Sequence, residues 1–236
     1  MEIIPAIDLR GGRCVRLFQG RYDRETVFGD DPAAIARHWA AQGATRLHVV
    51  DLDGAREGEP RNLEAVAAIA RAVAVPVQLG GGIRSEEAAR RALDLGVARV
   101  IVGTAALDPQ AIGRLVACLG DRLAVGIDAR DGRVAVRGWL ETSEILATDL
   151  ARAVAGLGVR CLVFTDIARD GTLEGPNVAA LREMVESVEA AVIASGGIST
   201  VEQVRAVREA GAAGAIIGTA LYAGRLSLKE AMEGAC

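Results

Sequence analysis

"LGGGIRSEEAARRALDLGVARVIVGTAAL" (residues 79–107) returns 115 positions later as "ASGGISTVEQVRAVREAGAAGAIIGTALY" (194–222). Each copy starts at the end of an apolar run, passes through glycines, and enters a polar stretch of helical periodicity. It closes on a second β-branched run that ends in Gly-Thr. That is a strand–turn–helix–strand unit written twice. The echo extends further. "VVDLDGAREGEPRN" (49–62) resembles "FTDIARDGTLEGPN" (164–177) at the same spacing, and "IDLRGGR" (7–13) resembles "IDARDGR" (127–133). The first half of the chain is repeated as the second, with halves of about 1–120 and 121–236.

Eight short runs read as strands: "EIIPAIDL", "RLHVVDL", "VPVQLG", "RVIVG", "RLAVGID", "RCLVFTD", "AAVIASG" and "AGAIIG". Their near-continuous hydrophobicity suits parallel strands covered on both faces. The stretches between them carry helix signals. Asp31-Pro32 is a cap followed by proline at the first helical position. Ser199 with Glu202 fits a capping box, and Gly43, Gly96 and Gly211 close their helices. Eight strands strictly alternate with eight helices, without a break in composition. The expected fold is one α/β domain over 1–236, a (β/α)8 TIM barrel of two half-barrels, in preference to an open doubly wound sheet.

Composition narrows the function. At 236 residues the chain buries roughly three-quarters of its unfolded surface, so the core is ample. A net charge of −4 offers no basic face for nucleic acid and no polybasic membrane anchor. No apolar stretch approaches a membrane span, and the opening "MEIIPAIDLR" lacks the pattern of a signal peptide. Cys14, Cys118, Cys161 and Cys236 show no CxxC spacing and read as reduced thiols of a cytoplasmic protein. A monomer acting on a small molecule is expected.

In a ring of eight strands, strand 1 faces strand 5, strand 3 faces strand 7 and strand 4 faces strand 8. Asp8 and Asp128 close strands 1 and 5 and so stand across the C-terminal mouth, where barrels place their chemistry. Gly80, Gly81, Gly82, Gly103 and Thr104 on one side face Ser195, Gly196, Gly197, Gly218 and Thr219 on the other. Glycine turns let backbone N–H groups approach an anion. Two matched sets predict an elongated substrate with a phosphate at each end and its reactive middle between two carboxylates. Asp51 and Asp166 read as structural, and His48 as a satisfied core or rim histidine. Trp139 reads either as packing or as a lid over a heterocycle. A Mg²⁺ site built from Asp8, Asp51, Asp128 and Asp166 suits the ligand type. It is disfavoured because each carboxylate follows a different strand, so no metal is expected.

"IIPAIDLRGGRCVRLFQG", "HVVDLDGA", "QLGGGIRS", "IVGTAAL", "DARDGRVAVRGW", "FTDIARDGTLEGPN" and "ASGGIS" together resemble the HisA family of histidine biosynthesis. Its members are the phosphoribosylformimino-5-aminoimidazole carboxamide ribotide (ProFAR) isomerases. The resemblance spans essentially the whole chain. It implies a two-half barrel, a substrate with two phosphates, no cofactor, and an Amadori rearrangement of an aminoaldose to an aminoketose. It also implies that Asp8 is the base and Asp128 the acid, that Thr165 and Asp170 support the reacting centre, and that Arg84 and Trp139 lie near the substrate. The sister cyclase of the pathway carries a cysteine before its first catalytic aspartate and a lysine soon after. Here the residue two before Asp8 is Ala6, and no lysine occurs through Gly20. Dual-substrate relatives, which also isomerise phosphoribosylanthranilate, tend to have "SGGIR" where this chain has "GGGIR" (80–84). A non-catalytic phosphate binder on a retained barrel is disfavoured by the intact Asp8 and Asp128.

Overall fold

In the computed structural model, which describes residues 1–136 and 138–236, eight parallel strands close into a barrel. Among the described residues the strands are β1 (Glu2–Arg10), β2 (Arg13–Phe18), β3 (Arg21–Gly29), β4 (Leu47–Asp51), β5 (Val77–Gly80), β6 (Arg99–Val102), β7 (Leu123–Arg130), β8 (Arg133–Val136), β9 (Glu141–Leu146), β10 (Cys161–Asp166), β11 (Ala191–Ser195) and β12 (Gly214–Ile217). The barrel runs β1-β4-β5-β6-β7-β10-β11-β12, and β12 pairs with β1 to close it. Helices cover it outside: α1 (Pro32–Ala41), α2 (Leu52–Glu57), α3 (Leu63–Ala72), α4 (Glu86–Asp94), α5 (Pro109–Leu119), α6 (Ala147–Gly156), α7 (Val178–Glu186), α8 (Val201–Glu209), α9 (Thr219–Tyr222) and α10 (Leu228–Gly234). No helix among the described residues is long and apolar enough to cross a membrane.

Strand side chains alternate between two cores. Outward residues such as Ile7, Leu9, Val125 and Ile127 pack against the helices, and all four are fully buried. Each such side chain contributes roughly 1.5–3 kcal/mol of burial. Inward residues Ile4, Ala6, Ala124, Cys161, Val163 and Ile193 fill the barrel. Continuing this period of two upward brings Asp8, Gly126 and Asp128, Thr165, Ser195 and Gly218 onto the inward face. The inward residues directly beneath the two aspartates are small, Ala6 and Gly126. The mouth stays open for that reason.

Two strand pairs were not expected. After β1 the chain turns into the hairpin β2–β3, and after β7 into β8–β9. The doubled phrase explains both. In "RGGR" the φ values of Gly11 and Gly12 are 54° and 76°, and in "RDGR" those of Asp131 and Gly132 are 51° and 75°. Positive φ at both central residues is the requirement of a type I′ two-residue hairpin, which glycine and aspartate meet at low cost. Arg10 pairs with Arg13 and Arg130 with Arg133 across these turns. In β2 (RCVRLF) and β8 (RVAV) arginines interrupt short apolar stretches, and β3 and β9 are mostly polar and exposed, so none carries the continuous apolar run of a barrel strand.

The helix boundaries follow their caps, with one correction. Asp31 accepts from Ala34 N at 3.0 Å beside Pro32. Gly43, Gly96 and Gly211 end their helices with φ of 97°, 97° and 91°. The expected Ser199–Glu202 box is not formed. Thr200 is extended (φ −136°, ψ 162°) and its hydroxyl accepts from Gln203 N at 3.3 Å, so it caps α8 instead. Ser199 Oγ points away and donates to Leu173 O at 3.0 Å. The capping box occurs at Ser227 and Glu230, at the start of α10.

Candidate active site

The catalytic, substrate-binding and phosphate-binding candidates read from the sequence all line one cavity in the C-terminal mouth. They are Asp8, Gly80, Gly81, Gly82, Arg84, Gly103, Thr104, Asp128, Trp139, Thr165, Asp170, Ser195, Gly196, Gly197, Gly218 and Thr219. The ring order sets β1 opposite β7, β5 opposite β11, and β6 opposite β12, so the matched turns face each other.

Asp8 is paired with Arg16, whose Nη1 donates to Asp8 Oδ2 at 2.7 Å. Arg16 Nη2 donates to Ala6 O, and the guanidinium lies 5.0 Å from the centre of the Tyr222 ring. Its Nε is buried without a hydrogen-bond partner among the described residues. Arg16 was missed from sequence. The signal was available, because a two-residue turn at Gly11–Gly12 returns the chain so that Val15 pairs with Asp8 and Arg16 follows. Burial raises the Asp8 carboxyl above its ordinary range, opposed by the charge and hydrogen bond of Arg16.

Asp128 accepts a hydrogen bond from Trp139 Nε1 at 2.8 Å, and Thr165 is its register partner on β10. Burial raises this carboxyl too, against the donors of Trp139 and Thr165. Trp139 has φ of 72°, a conformation uncommon outside glycine. Its ring packs on Gly20, where a Cβ would lie 2.4 Å from Trp139 Cε3. The tryptophan therefore packs across the mouth onto the first hairpin and also holds the second acid. Asp170 is pushed up to about 7, by burial first and then by the charge of Asp8, with Arg16 opposing and Asp128 adding. Three carboxyls thus share the centre of the cavity.

Asp51 and Asp166 take the structural roles expected. Asp51 is fully buried and accepts from Gly54 N, Arg61 N, Asn62 N and Asn62 Nδ2 at 2.6–2.8 Å. Its repeat partner Asp166 accepts from Ala168 N and Asn177 Nδ2. With protein donors holding their oxygens, neither is offered to a cation. His48 is satisfied through Nδ1 by Gln78 Nε2 at 3.0 Å.

The glycines divide by what a side chain would meet. At Gly81 a Cβ would lie 2.1 Å from Asp51 O, and at Gly197 2.6 Å from Gly175 O, so both are required by loops packed against them. At Gly103 a Cβ meets nothing within 4 Å, and the space belongs to the cavity. At Gly218 the same space holds the Arg16 guanidinium, 2.5 Å away. One end of the cup is open backbone; the other carries a cation. Arg84 reaches back over Gly58, where a Cβ would lie 2.5 Å from its Nη1.

A closed eight-stranded barrel with opposed glycine turns and three carboxyls in its C-terminal mouth has the architecture of a (β/α)8 enzyme and groups suited to proton transfer. Residues 2–227 match the family described as histidine biosynthesis protein, and the chain belongs to that family. It is 57% identical over 233 residues to a protein of Roseiflexus castenholzii, covering 98% of both chains. That protein is named 1-(5-phosphoribosyl)-5-((5-phosphoribosylamino)methylideneamino)imidazole-4-carboxamide isomerase. Proteins of the same name from Chloroflexus aggregans and a Picosynechococcus strain are 56% and 55% identical, over 98% and 99% of this chain and 97% and 93% of theirs.

Proposed function

We propose that this chain isomerises ProFAR, an aminoaldose, to its aminoketose by an Amadori rearrangement, as a cytoplasmic monomer of one barrel domain without metal or cofactor. The observation that carries the reading is the triad of carboxyls Asp8, Asp128 and Asp170 in the same cavity as the opposed turns at Gly103 and Gly218. A proton is delivered to the ribose ring oxygen as its bond to the anomeric carbon breaks, and the nitrogen lone pair forms the iminium. Asp8, paired with Arg16, takes the proton from the neighbouring carbon to give the enolamine. The hydroxyl on that carbon then yields its proton as the ketone forms, and the former anomeric carbon gains one. Atoms and charge balance, and each transfer contributes roughly 10²–10⁴-fold.

Asp128 is the acid by resemblance. Asp170 is a second reading for that role, favoured by its value of about 7, which leaves a proton available near neutrality. The alkaline limb of the pH–rate profile separates the two: the acid is the residue whose change to asparagine abolishes that limb.

The test of the function is ultraviolet assay of the purified protein with ProFAR in excess chelator. Turnover at the rate without chelator is expected. Loss of turnover that Mg²⁺ restores would move the strand-end aspartates to a metal role.

Asp170 also has a consequence for stability. Folding raises its pKa from 3.8 to about 7, so the folded state holds a proton that the unfolded chain releases between those values. Its contribution to stability is complete below the lower value and is lost as pH rises through the upper one. Asp170→Asn has no charge to bury. Its melting temperature should therefore exceed that of the parent by more at pH 8 than at pH 5, and equal shifts at both would contradict this.

A further inference from the structure

One layer below the acids, three side chains form a line that the reaction above does not use. His48, Gln78 and Arg99 lie on the adjacent strands β4, β5 and β6 and are in register, His48 with Gln78 and Gln78 with Arg99. Arg99 donates to Gln78 Oε1 from Nε at 3.2 Å and again from Nη2. Gln78 is fully buried, and its Nε2 lies 3.0 Å from His48 Nδ1.

Donor chemistry fixes the direction of this line. A guanidinium only donates, so the amide oxygen of Gln78 faces Arg99. The amide nitrogen is left facing His48, and it too only donates, so Nδ1 carries the lone pair. In a neutral imidazole the proton is then on Nε2. The ring is neutral: burial first, then Arg16 and Arg99, push it down to about 3. No protein partner holds His48 Nε2 among the described residues. The residue lines the cavity, paired in register with Ala6, two positions below Asp8.

We infer that Arg99 and Gln78 are positioning residues that lock His48 as the Nε2–H tautomer, so that it presents a neutral hydrogen-bond donor to an oxygen of the opened sugar chain. The identity of that oxygen rests on the proposed isomerase reading: it is the hydroxyl oxygen beside the iminium carbon, which gains electron density as it becomes the ketone. A preorganised donor there lowers the barrier. A neutral imidazole does so without adding a positive charge beside Asp8.

The test is the long-range proton–nitrogen NMR spectrum of the ¹⁵N-labelled protein. Only two histidines contribute, and a His38→Gln variant assigns them. His48 should show protonated Nε2 and bare Nδ1, unchanged between about pH 5 and 8. Gln78→Glu puts an acceptor against Nδ1 and should reverse the tautomer, lowering kcat at least about tenfold with KM within about threefold. Arg99→Lys, still a pure donor, should keep the tautomer and most of kcat. If Gln78→Glu does not fold, Arg99→Met serves, since it frees the amide to turn; mixed tautomers and a lower kcat are expected. The inference is overturned by an Nδ1–H or titrating His48 in the parent protein. A folded Gln78→Glu with reversed tautomer and parental kcat, or an Arg99→Met with pure Nε2–H and parental kcat, overturns it equally. The tautomer is read without substrate, so failure of the isomerase reading would show separately, as a parent protein that leaves ProFAR unchanged.

Discussion

Asp8→Asn is expected to lower kcat on ProFAR by at least about a hundredfold while KM changes little, the pattern of a lost proton transfer. The substitution keeps an oxygen for Arg16 Nη1, now 2.7 Å from the carboxylate, but removes the basicity. Because Arg16 stays buried and loses its ion-pair partner, some stability is lost as well. Complete removal of one partner from a buried pair costs about 3–5 kcal/mol, and the retained amide oxygen should hold the loss below that. Circular dichroism at the assay temperature separates the two effects. A folded Asp8→Asn with near-parental turnover would remove the base from the account. Asp128→Asn is expected to give a fall of the same order, with the Trp139 Nε1 donor still able to reach the amide oxygen.

Gly103→Val should raise KM for ProFAR more than tenfold, about 1.4 kcal/mol of lost binding, in a protein that folds normally. The reason is geometric. A Cβ at Gly103 meets no atom within 4 Å beyond its chain neighbours, so no packed loop or side chain stands in its way. What a branched side chain displaces is the ligand. Gly81→Val is the contrast, because its Cβ would strike Asp51 O at 2.1 Å and its φ is 99°. That variant should fail to fold. A well-folded Gly103→Val with an unchanged KM would mean that the glycine turn of the first half is architecture alone.

Much of the site could be read in the sequence because the chain states its geometry twice. The repeat placed Asp8 opposite Asp128 and Gly103 opposite Gly218, and the alternation of inward and outward residues carried them to the mouth. What stayed hidden lies where local and non-local signals part. The hairpin strands lack the continuous apolar runs of the barrel strands, and their turns lie at "GG" and "DG", where φ is positive at both residues. Arg16 depends on the first of those turns, and its contact with Tyr222 joins residues far apart in the chain. Trp139 was open between packing and lid because its bond to Asp128 depends on a left-handed backbone that an L-residue seldom adopts. The misplaced cap at Ser199 is an error of one residue. Two adjacent hydroxyls compete, and the extended backbone at Thr200 decides between them.

The claim at the centre of this account is that a single ligand spans the mouth, a phosphate at each end and the acids between. Crystals grown in high sulfate or phosphate test it most directly. The account predicts two anions, one against the backbone at Gly103 and Thr104 and the other at Gly218 and Thr219 beside Arg16, with Asp8 and Asp128 between them. A single anion at the Gly218 end, with the Gly103 end holding only water in a well-ordered map, would contradict it.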